Sequence, residues 1–353
     1  MTQRTWAALL AVPLIFAGLV YAALTAMPFV TYAPGGTINV LGKHDGKPVI
    51  TVEGHRTYPD KGQLRMTTVA VTERDAKLDL FTLMSTWILA HDDGIYPYAI
   101  QYPDTGGSQK QDAQEGQAEM IGSQDSAIAA ALRELGYDVH PALEVQQVTH
   151  GMPADGKIEP GDVIVRFDGT RITGVTDLGK LVRGVPAGRS VPITVMRKGT
   201  PVTVHVAPVD KQGTRLIGVQ LGLGYTFPFK VTVNIGDDIG GPSAGLMFAL
   251  SVYDTLTPGS LTNGGEVAGT GTIDGNGRVG VIGGIEQKIA GARKAGAQLF
   301  LVPPGNCRDA LTANPGSMRL AKATTLKSAI SELKAWGADH EAPLPQCTTK
   351  AGS

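Results

Sequence analysis

The chain has 353 residues, which is enough for two or three domains with hydrophobic cores of their own. Its formal net charge is −1 at pH 7 and no basic patch with interleaved aromatic residues stands out, which argues against nucleic acid as a partner. The 46 glycines and 22 prolines are spread along the chain, a distribution typical of many turns in ordered structure.

Residues 6–30 carry no charge, and a run of this length is sufficient to cross a bilayer with some tilt. Arg4 precedes the run and the next basic residue is Lys43, so the positive-inside rule places the short N-terminus in the cytoplasm and everything after residue 30 outside. The alternative is a cleaved signal peptide, although Ala-Leu-Thr at 23–25 is a poor cleavage site. We therefore predict a cytoplasmic stub and a single transmembrane helix over residues 1–30.

The next hundred residues mix strand and helix patterns. The alternating stretches "KPVITVEG" and "GQLRMTTVAVT" are typical of strands. Residues 78–91 are apolar and compatible with a helix, and "SAIAAALRELG" predicts a helix that stops at Gly136. Between these helices, residues 101–118 are rich in Gln, Gly, Asp and Ser, and we expect a mobile loop there.

Short strands and glycine turns dominate residues 143–206. The stretches "GDVIVRFDGTRI" and "VPITVMRKG" resemble PDZ domains of the bacterial protease type, and we assign residues 143–209 to such a domain. The resemblance implies binding of extended peptides as an added strand. No obvious Gly-Leu-Gly-Phe carboxylate loop is present, so binding of C-termini and of internal segments both stay open.

A partial nucleotide-binding motif lies inside this segment. Gly174 to Lys180 match the glycine and lysine frame of a P-loop, but Leu181 stands where the magnesium-binding Ser or Thr belongs. No other nucleotide signature is found, so we predict neither a nucleotide nor another cofactor.

Cys307 and Cys347 are the two cysteines of the chain and lie 40 positions apart. Outside the cytoplasm such a pair can form a disulfide, and two unpaired thiols are the alternative. Neither cysteine has a nearby histidine, which argues against a metal site or a cysteine nucleophile.

The stretch "DIGGPSAGLMFAL" at 238–250 sets one serine before an apolar run. Pro242 is typical of the first turn of a helix, so Ser243 lies at the start of a buried helix, next to free amides and the positive end of its dipole. With Gly240 and Gly241 before it, this hydroxyl is a candidate nucleophile beside an oxyanion site. An ordinary N-cap serine is the alternative.

A lysine in "VIGGIEQKIAGARKAG" has an unusual position. A helix that starts near Ile285 places Lys288 on one face with Ile285, Ile289 and Ala292. Lysines at such positions often extend to solvent or pair with a carboxylate. If Lys288 is buried instead, its pKa falls and it can act as the base for a serine.

These motifs together resemble the proteolytic domain of Lon-type serine proteases. The stretches "GGPSAGLMFAL", "AGTGTIDGNGRVGVIGGIEQKIAGARKAGA" and "FLVPPGN" carry the resemblance, in order, from Lys230 to about Ala335. In that family the serine of Gly-Pro-Ser-Ala-Gly is the nucleophile and the lysine of Gly-Gly-x-x-x-Lys is its base, which implies Ser243 and Lys288 here. The resemblance implies an α+β proteolytic domain over residues 210–340, with 341–353 as a tail.

Thr270 matches the position of a supporting threonine near the lysine in that family, and an ordinary threonine at a strand end is the alternative. The chain departs from ATP-driven Lon proteins in two respects. No ATPase module is present, and no histidine precedes the serine motif, where "FKVTVNIGDDIGG" stands. Asp238 is the nearby polar candidate for a supporting role, and hydrogen bonding to its own turn explains it equally well.

The combination of anchor, PDZ segment and Lon-type segment most resembles the YlbL-like membrane-anchored proteases. In that group the PDZ domain is inserted into the protease region, which makes "GQLRMTTVAVT", within residues 31–142, an early strand of the catalytic domain. We therefore expect an α+β, ATP-independent serine endopeptidase that acts outside the cytoplasm on proteins or peptides, and family analogy favours a homo-oligomer. The alternative is an inactive, membrane-tethered PDZ adaptor.

Overall fold

The computed structural model describes residues 3–74, 76–103, 106–172, 174–211, 213–236 and 239–348. The elements before the predicted PDZ segment are, in chain order, α1 Gln3–Leu24, β1 Phe29–Asn39, β2 Lys43–His44, β3 Lys47–Pro48, β4 Ile50–Glu53, β5 Gln63–Val71, α2 Leu80–Leu89, β6 Gly94–Pro97, α3 Tyr98–Gln101 and α4 Gln109–Glu134. The following group contains β7 His140–Val148, β8 Val163–Phe167, β9 Thr170–Arg171, α5 Val175–Gly184, β10 Val191–Arg197, β11 Thr200–Val206, β12 Val209–Lys211, β13 Thr214–Leu216 and β14 Val219–Thr226. The last group contains β15 Lys230–Val233, α6 Gly245–Leu256, β16 Glu266–Gly269, β17 Thr272–Ile273, β18 Val279–Gly280, α7 Ile285–Lys294, β19 Leu299–Val302, α8 Cys307–Ala310, β20 Arg319–Lys322 and α9 Leu326–Ala338.

The N-terminal helix is shorter than the uncharged run predicted. Helix α1 ends at Leu24, and Phe29 and Val30 already pair with β6 as part of β1. Pro28 explains the boundary, because proline lacks an amide donor and forces the residue before it into an extended conformation. Among the residues described, the structure contains no helix with the length and hydropathy that a bilayer crossing requires. The uncharged run of residues 6–30 thus continues beyond α1 into β1, and attachment to a membrane stays a prediction.

The central sheet has the strand order β20-β19-β16-β5-β1-β6. Strand β16 runs parallel to β5 and β19, whereas β1 runs antiparallel to β5 and β6. Successive side chains of a strand point to opposite faces. Accordingly Val267 packs in a core with α4, α6 and α9, while its neighbour Ala268 packs in a second core with α7. The sheet thus lies between two helical layers, and the predicted α+β class is confirmed.

Two strands predicted early in the chain belong to this region. "GQLRMTTVAVT" forms β5, which lies beside β16 in the central sheet. "KPVITVEG" contains β4, which pairs with β15 far along the chain. Strands from before and after the predicted PDZ segment thus build one layered structure.

The predicted PDZ segment forms a second sheet, ordered β11-β10-β8-β7-β14, with β9 paired to β8. It has its own core, which includes Val145, Phe167, Leu178 and Ile193. The sheet extends beyond residues 143–209 at both ends, because β14 pairs antiparallel with the whole of β7. This unit is inserted between α4 and β15.

The segment expected to be a mobile loop is partly helical. Helix α4 starts after Ser108, whose side chain and that of Gln111 form a reciprocal capping box. Asp112 in the first turn also pairs with Arg74, with 2.6 Å between their nearest nitrogen and oxygen atoms. Of residues 101–118, those from 109 onward thus belong to a long helix, and the prediction of a loop is wrong there. Gln, Glu and Ala, which are common in this stretch, are good helix formers. The stretch is polar because most of these helical residues are exposed or half-buried.

Cys307 and Cys347 form a disulfide that joins α8 to the C-terminal segment across 40 positions. Replacing both cysteines by serine is expected to lower the free energy of unfolding by about 3–4 kcal/mol, because the crosslink restricts the unfolded chain. Urea denaturation of the variant and of the wild type, with and without reductant, measures this difference. Equal midpoints for all samples would show that the crosslink contributes nothing.

Candidate active site

Ser243 lies in a turn immediately before α6, at the edge of the main core. Gly241 has a φ of +87°, a left-handed conformation that glycine adopts without strain, and Pro242 follows. Helix α6 starts at Gly245, so Pro242 and Ser243 lie before the helix and not in its first turn, and its N-cap residue, Ala244, makes no side-chain capping bond. The ordinary N-cap interpretation of Ser243 is therefore wrong, and its half-buried hydroxyl is available for other contacts.

Close packing fixes the start of α6. A Cβ atom added to Gly245 would lie 2.9 Å from Ile273 Cγ2 and 2.9 Å from Ser123 Oγ. Only glycine fits at this position without displacement of its neighbours. After it, the helix is buried on nearly every side, as its apolar sequence predicts.

Helix α7 supplies the lysine. It begins after Gly284, whose φ is +67°, and it buries the predicted stripe of Ile285, Lys288, Ile289 and Ala292. Lys288 is 2% exposed and makes no ion pair with any carboxylate of the described residues. Burial penalises the charged amine and lowers the pKa of Lys288 to about 7. A substantial fraction of this lysine is therefore neutral near pH 7.

The three predicted polar residues meet in one cluster. Lys288 Nζ lies 2.6 Å from Ser243 Oγ and 3.0 Å from Thr270 Oγ1. The hydroxyl of Thr270 in turn donates to the Ser243 carbonyl oxygen at 3.0 Å. Since the Thr270 proton is used in that bond, Thr270 Oγ1 accepts an N–H from the amine. This leaves the lone pair of neutral Lys288 to face the hydroxyl of Ser243.

Thr270 is therefore expected to orient the amine. Thr270→Val keeps the shape of this 1% exposed side chain but removes both hydrogen bonds, so hydrolysis of a short peptide should slow about 10- to 100-fold. Steady-state kinetics measure the effect. Thr262→Val is a matched control, because Thr262 is equally buried, lies against Gly62 and has a hydroxyl that bonds to none of the described residues. A Thr270→Val enzyme as fast as this control would exclude the orienting role.

Gly240 and Gly241, the two glycines before the serine, differ in their contacts. The Gly241 amide donates to the Gly116 carbonyl oxygen at 2.8 Å, so it is occupied and cannot serve as a free oxyanion donor here. Gly240 is exposed and packs against the backbone of Gly116. Among the described residues, the amides of Ser243 and Ala244 have no acceptor, which leaves them as candidate donors to an oxyanion. Asp238 lies outside the described residues.

Two residues of α4 beside this turn did not emerge from the sequence patterns. They are Gly116 and Ser123, which lie seven positions apart and hence on one face of the helix. Both are small residues in a helix that packs against α6. A stripe of small residues at this spacing is the signal that could have identified them.

Comparison with known families supports two domains. Residues 126–207 match the PDZ domain family, and residues 236–334 match the Lon protease (S16) C-terminal proteolytic domain, a range that includes Ser243, Thr270 and Lys288.

Individual relatives cover parts of the chain. It is 46% identical over 138 residues to Lon protease 2 of Herpetosiphon aurantiacus, which corresponds to 31% of this chain and 17% of that protein. It is 34% identical over 74 residues to a probable periplasmic serine endoprotease DegP-like of Marinomonas sp., or 21% of this chain and 16% of that protein. A PDZ domain crystal structure of an SdrC-like protein from Listeria innocua has a TM-score of 0.22 and 23% identity, with 23% of this chain and 92% of that chain covered.

Each of these two curated relatives is matched over about a sixth of its length. Each of the two matched regions contributes to a hydrophobic core of its own: the first to the core of the PDZ sheet, and the second to the core around α6. The chain contains a PDZ domain followed by a Lon-type (S16) proteolytic domain.

Proposed function

We propose that this protein is an ATP-independent serine endopeptidase with a Ser243–Lys288 dyad. The observation that carries the proposal is the 2.6 Å separation between Lys288 Nζ and Ser243 Oγ, with no carboxylate of the described residues paired to the amine. A lysine base beside a serine is an established substitute for histidine in nucleophilic catalysis. The chemistry of the dyad consumes no nucleotide.

The reaction runs in two halves. Ser243 Oγ attacks the peptide carbonyl carbon while its proton moves to Lys288 Nζ, and the developing oxyanion is stabilised by the amides of Ser243 and Ala244 just before α6. Lys288 then gives this proton to the leaving amine as the peptide bond breaks, which leaves an acyl-enzyme on Ser243. Water attacks the acyl group with Lys288 again as base, and the released Ser243 recovers its proton from the lysine.

The test is degradation of an unfolded protein in the absence of nucleotide, with the purified wild type and Ser243→Ala compared side by side. We expect fragments to accumulate with the wild type only. If both proteins are inactive while both retain the fold, the endopeptidase proposal fails and the alternative, a peptide-binding adaptor, takes its place.

Substrate selection by the PDZ domain is part of the proposal. Its support is that β14 is an edge strand of the PDZ sheet, since strand addition to a sheet edge is how PDZ domains take extended peptides. A non-cleavable extended peptide in excess should slow degradation of protein substrates and leave cleavage of a short peptide unchanged. Equal inhibition of both, or of neither, would exclude a selecting role.

We also place residues 31–353 outside the cytoplasm. The Cys307–Cys347 disulfide supports this location, because cytosolic thiols are kept reduced. Protease added to intact spheroplasts should therefore digest the chain beyond residue 30, and a carbonate wash of the membranes tests the predicted attachment through residues 6–30. Protection of residues 31–353 until lysis would contradict the external location.

A further inference from the structure

Helix α4 holds the turn that carries Ser243. Two hydrogen bonds join them closely, one from the Gly241 amide to the Gly116 carbonyl at 2.8 Å and one from Ser123 Oγ to the Pro242 carbonyl at 3.0 Å. The Gln117 side chain adds a longer contact, 3.4 Å from its Nε2 to the Ile239 carbonyl oxygen. The residues that lead into Ser243, from Ile239 to Pro242, are thus held by this one helix.

The backbones of the helix and the turn are in direct contact. A Cβ atom placed on Gly240 would lie 3.1 Å from the Gly116 carbonyl carbon, closer than most real contacts of this kind. Helix and turn therefore approach each other as closely as backbone atoms allow, and small displacements of one are resisted by the other.

The bond from Ser123 has a particular geometric consequence. The Pro242 carbonyl and the Ser243 amide belong to one planar trans peptide group, in which C=O and N–H point in opposite directions. The Ser123 hydroxyl at 3.0 Å, with a longer bond from the Gly245 amide at 3.4 Å, holds the Pro242 oxygen and therefore fixes the direction in which the Ser243 N–H points. That N–H has no acceptor among the described residues, and it belongs to the nucleophile itself.

We infer that Ser123 is a positioning residue for catalysis: by holding the Pro242 carbonyl, it aims the Ser243 amide at the site of the oxyanion. This inference rests on the proposed endopeptidase function. Ser123 acts through the peptide group and does not touch the reacting atoms. At 6% exposure its hydroxyl is shielded from water, so solvent does not readily replace it.

Loss of this hydroxyl should change one kinetic constant selectively. For Ser123→Ala we expect kcat for a short peptide to fall about tenfold, with KM nearly unchanged, because the oxyanion forms only in the transition state. The pH midpoint of kcat/KM should stay at the wild-type value, because Lys288 keeps its contacts with Ser243 and Thr270. A general loss of packing would not produce this combination.

Ser251→Ala is the matched control. Ser251 is fully buried in α6, and its hydroxyl bonds to the Phe248 carbonyl of its own helix at 2.9 Å. The Ser251→Ala variant thus loses a buried serine hydroxyl without altering the turn before α6. We expect its kcat to lie within about twofold of the wild-type value. If Ser123→Ala is no slower than Ser251→Ala, the positioning role is refuted.

Amide hydrogen exchange separates this inference from the proposed function. In Ser123→Ala the hydrogen-bonded amides of Gly241 and Gly245 should exchange about tenfold faster than in the wild type, and in Ser251→Ala they should not. This readout needs no peptidase activity, so it decides whether Ser123 holds the turn even if the wild type cleaves nothing. Unchanged exchange in Ser123→Ala would overturn the inference.

Discussion

Removal of either dyad residue is expected to abolish peptide cleavage almost completely. Ser243→Ala deletes the nucleophile and Lys288→Ala deletes the base that lies 2.6 Å from it, so each should lower kcat/KM by about 10⁴-fold or more. The double variant should be little slower than either single one, because residues that act as one unit are not additive. Hydrolysis of a fluorogenic peptide measures all three, with circular dichroism to confirm the fold.

Lys288→Arg is the sharper test of the base. A guanidinium group keeps the positive charge but cannot give up its proton in the working range of pH, so this variant should be as inactive as Lys288→Ala. Lys294→Ala is the control, because Lys294 lies on the same helix but is exposed and pairs with Asp92. Cleavage near the wild-type rate by a folded Lys288→Arg protein would refute the assignment of Lys288 as base.

Activity should rise with pH through about 7. The pKa of Lys288 is lowered to about 7 by burial, and the amine must be neutral to accept the serine proton. Below that pKa, kcat/KM should fall about tenfold for each pH unit, and above it the rate should level off. Since kcat/KM reports the free enzyme, its midpoint gives the pKa of Lys288 before substrate binds.

The measurement is kcat/KM for an uncharged peptide from pH 5 to pH 9, with stability followed at each pH. Thr270→Val provides an internal comparison, because loss of the hydroxyl that accepts from the amine should alter the midpoint as well as the rate. Ser123→Ala should alter the rate alone. A wild-type profile that is flat across this range would show that no group with a pKa near 7 controls the reaction.

Several elements could be predicted from local pattern alone. The apolar run after Ser243 indicated a buried helix, and the 3.6-residue spacing placed Lys288 on the apolar face of a second helix, both as the structure has them; whether the amine itself is buried was left open by the sequence. The strand in "GQLRMTTVAVT" also followed from alternation. These predictions succeeded because each depended only on residues close to one another in the sequence.

Predictions failed where a distant or specific local contact decided the structure. The polar stretch before residue 118 was expected to be a loop, but a capping box at Ser108 and the ion pair between Arg74 and Asp112 support a helix from Gln109. The predicted membrane anchor was drawn up to Val30, but that residue pairs with Tyr96 in a sheet. Composition cannot show such contacts, because they join segments far apart in the chain or depend on one side chain.

The sequence by itself determined the chemical groups and their local settings: a serine before a buried helix, a lysine in an apolar stripe, a threonine in a glycine turn and two cysteines. Only the tertiary structure decided that these groups meet. Lys288 lies 45 positions from Ser243 and reaches it at the end of β16, where Thr270 bonds both residues, although α7 and α6 pack in separate cores. The same packing brings Ser123 of α4 to the Pro242 carbonyl, 119 positions away. The physical reason is that burial, which lowers the pKa of the lysine and gives these hydrogen bonds their strength, is a property of the assembled layers and not of any single segment.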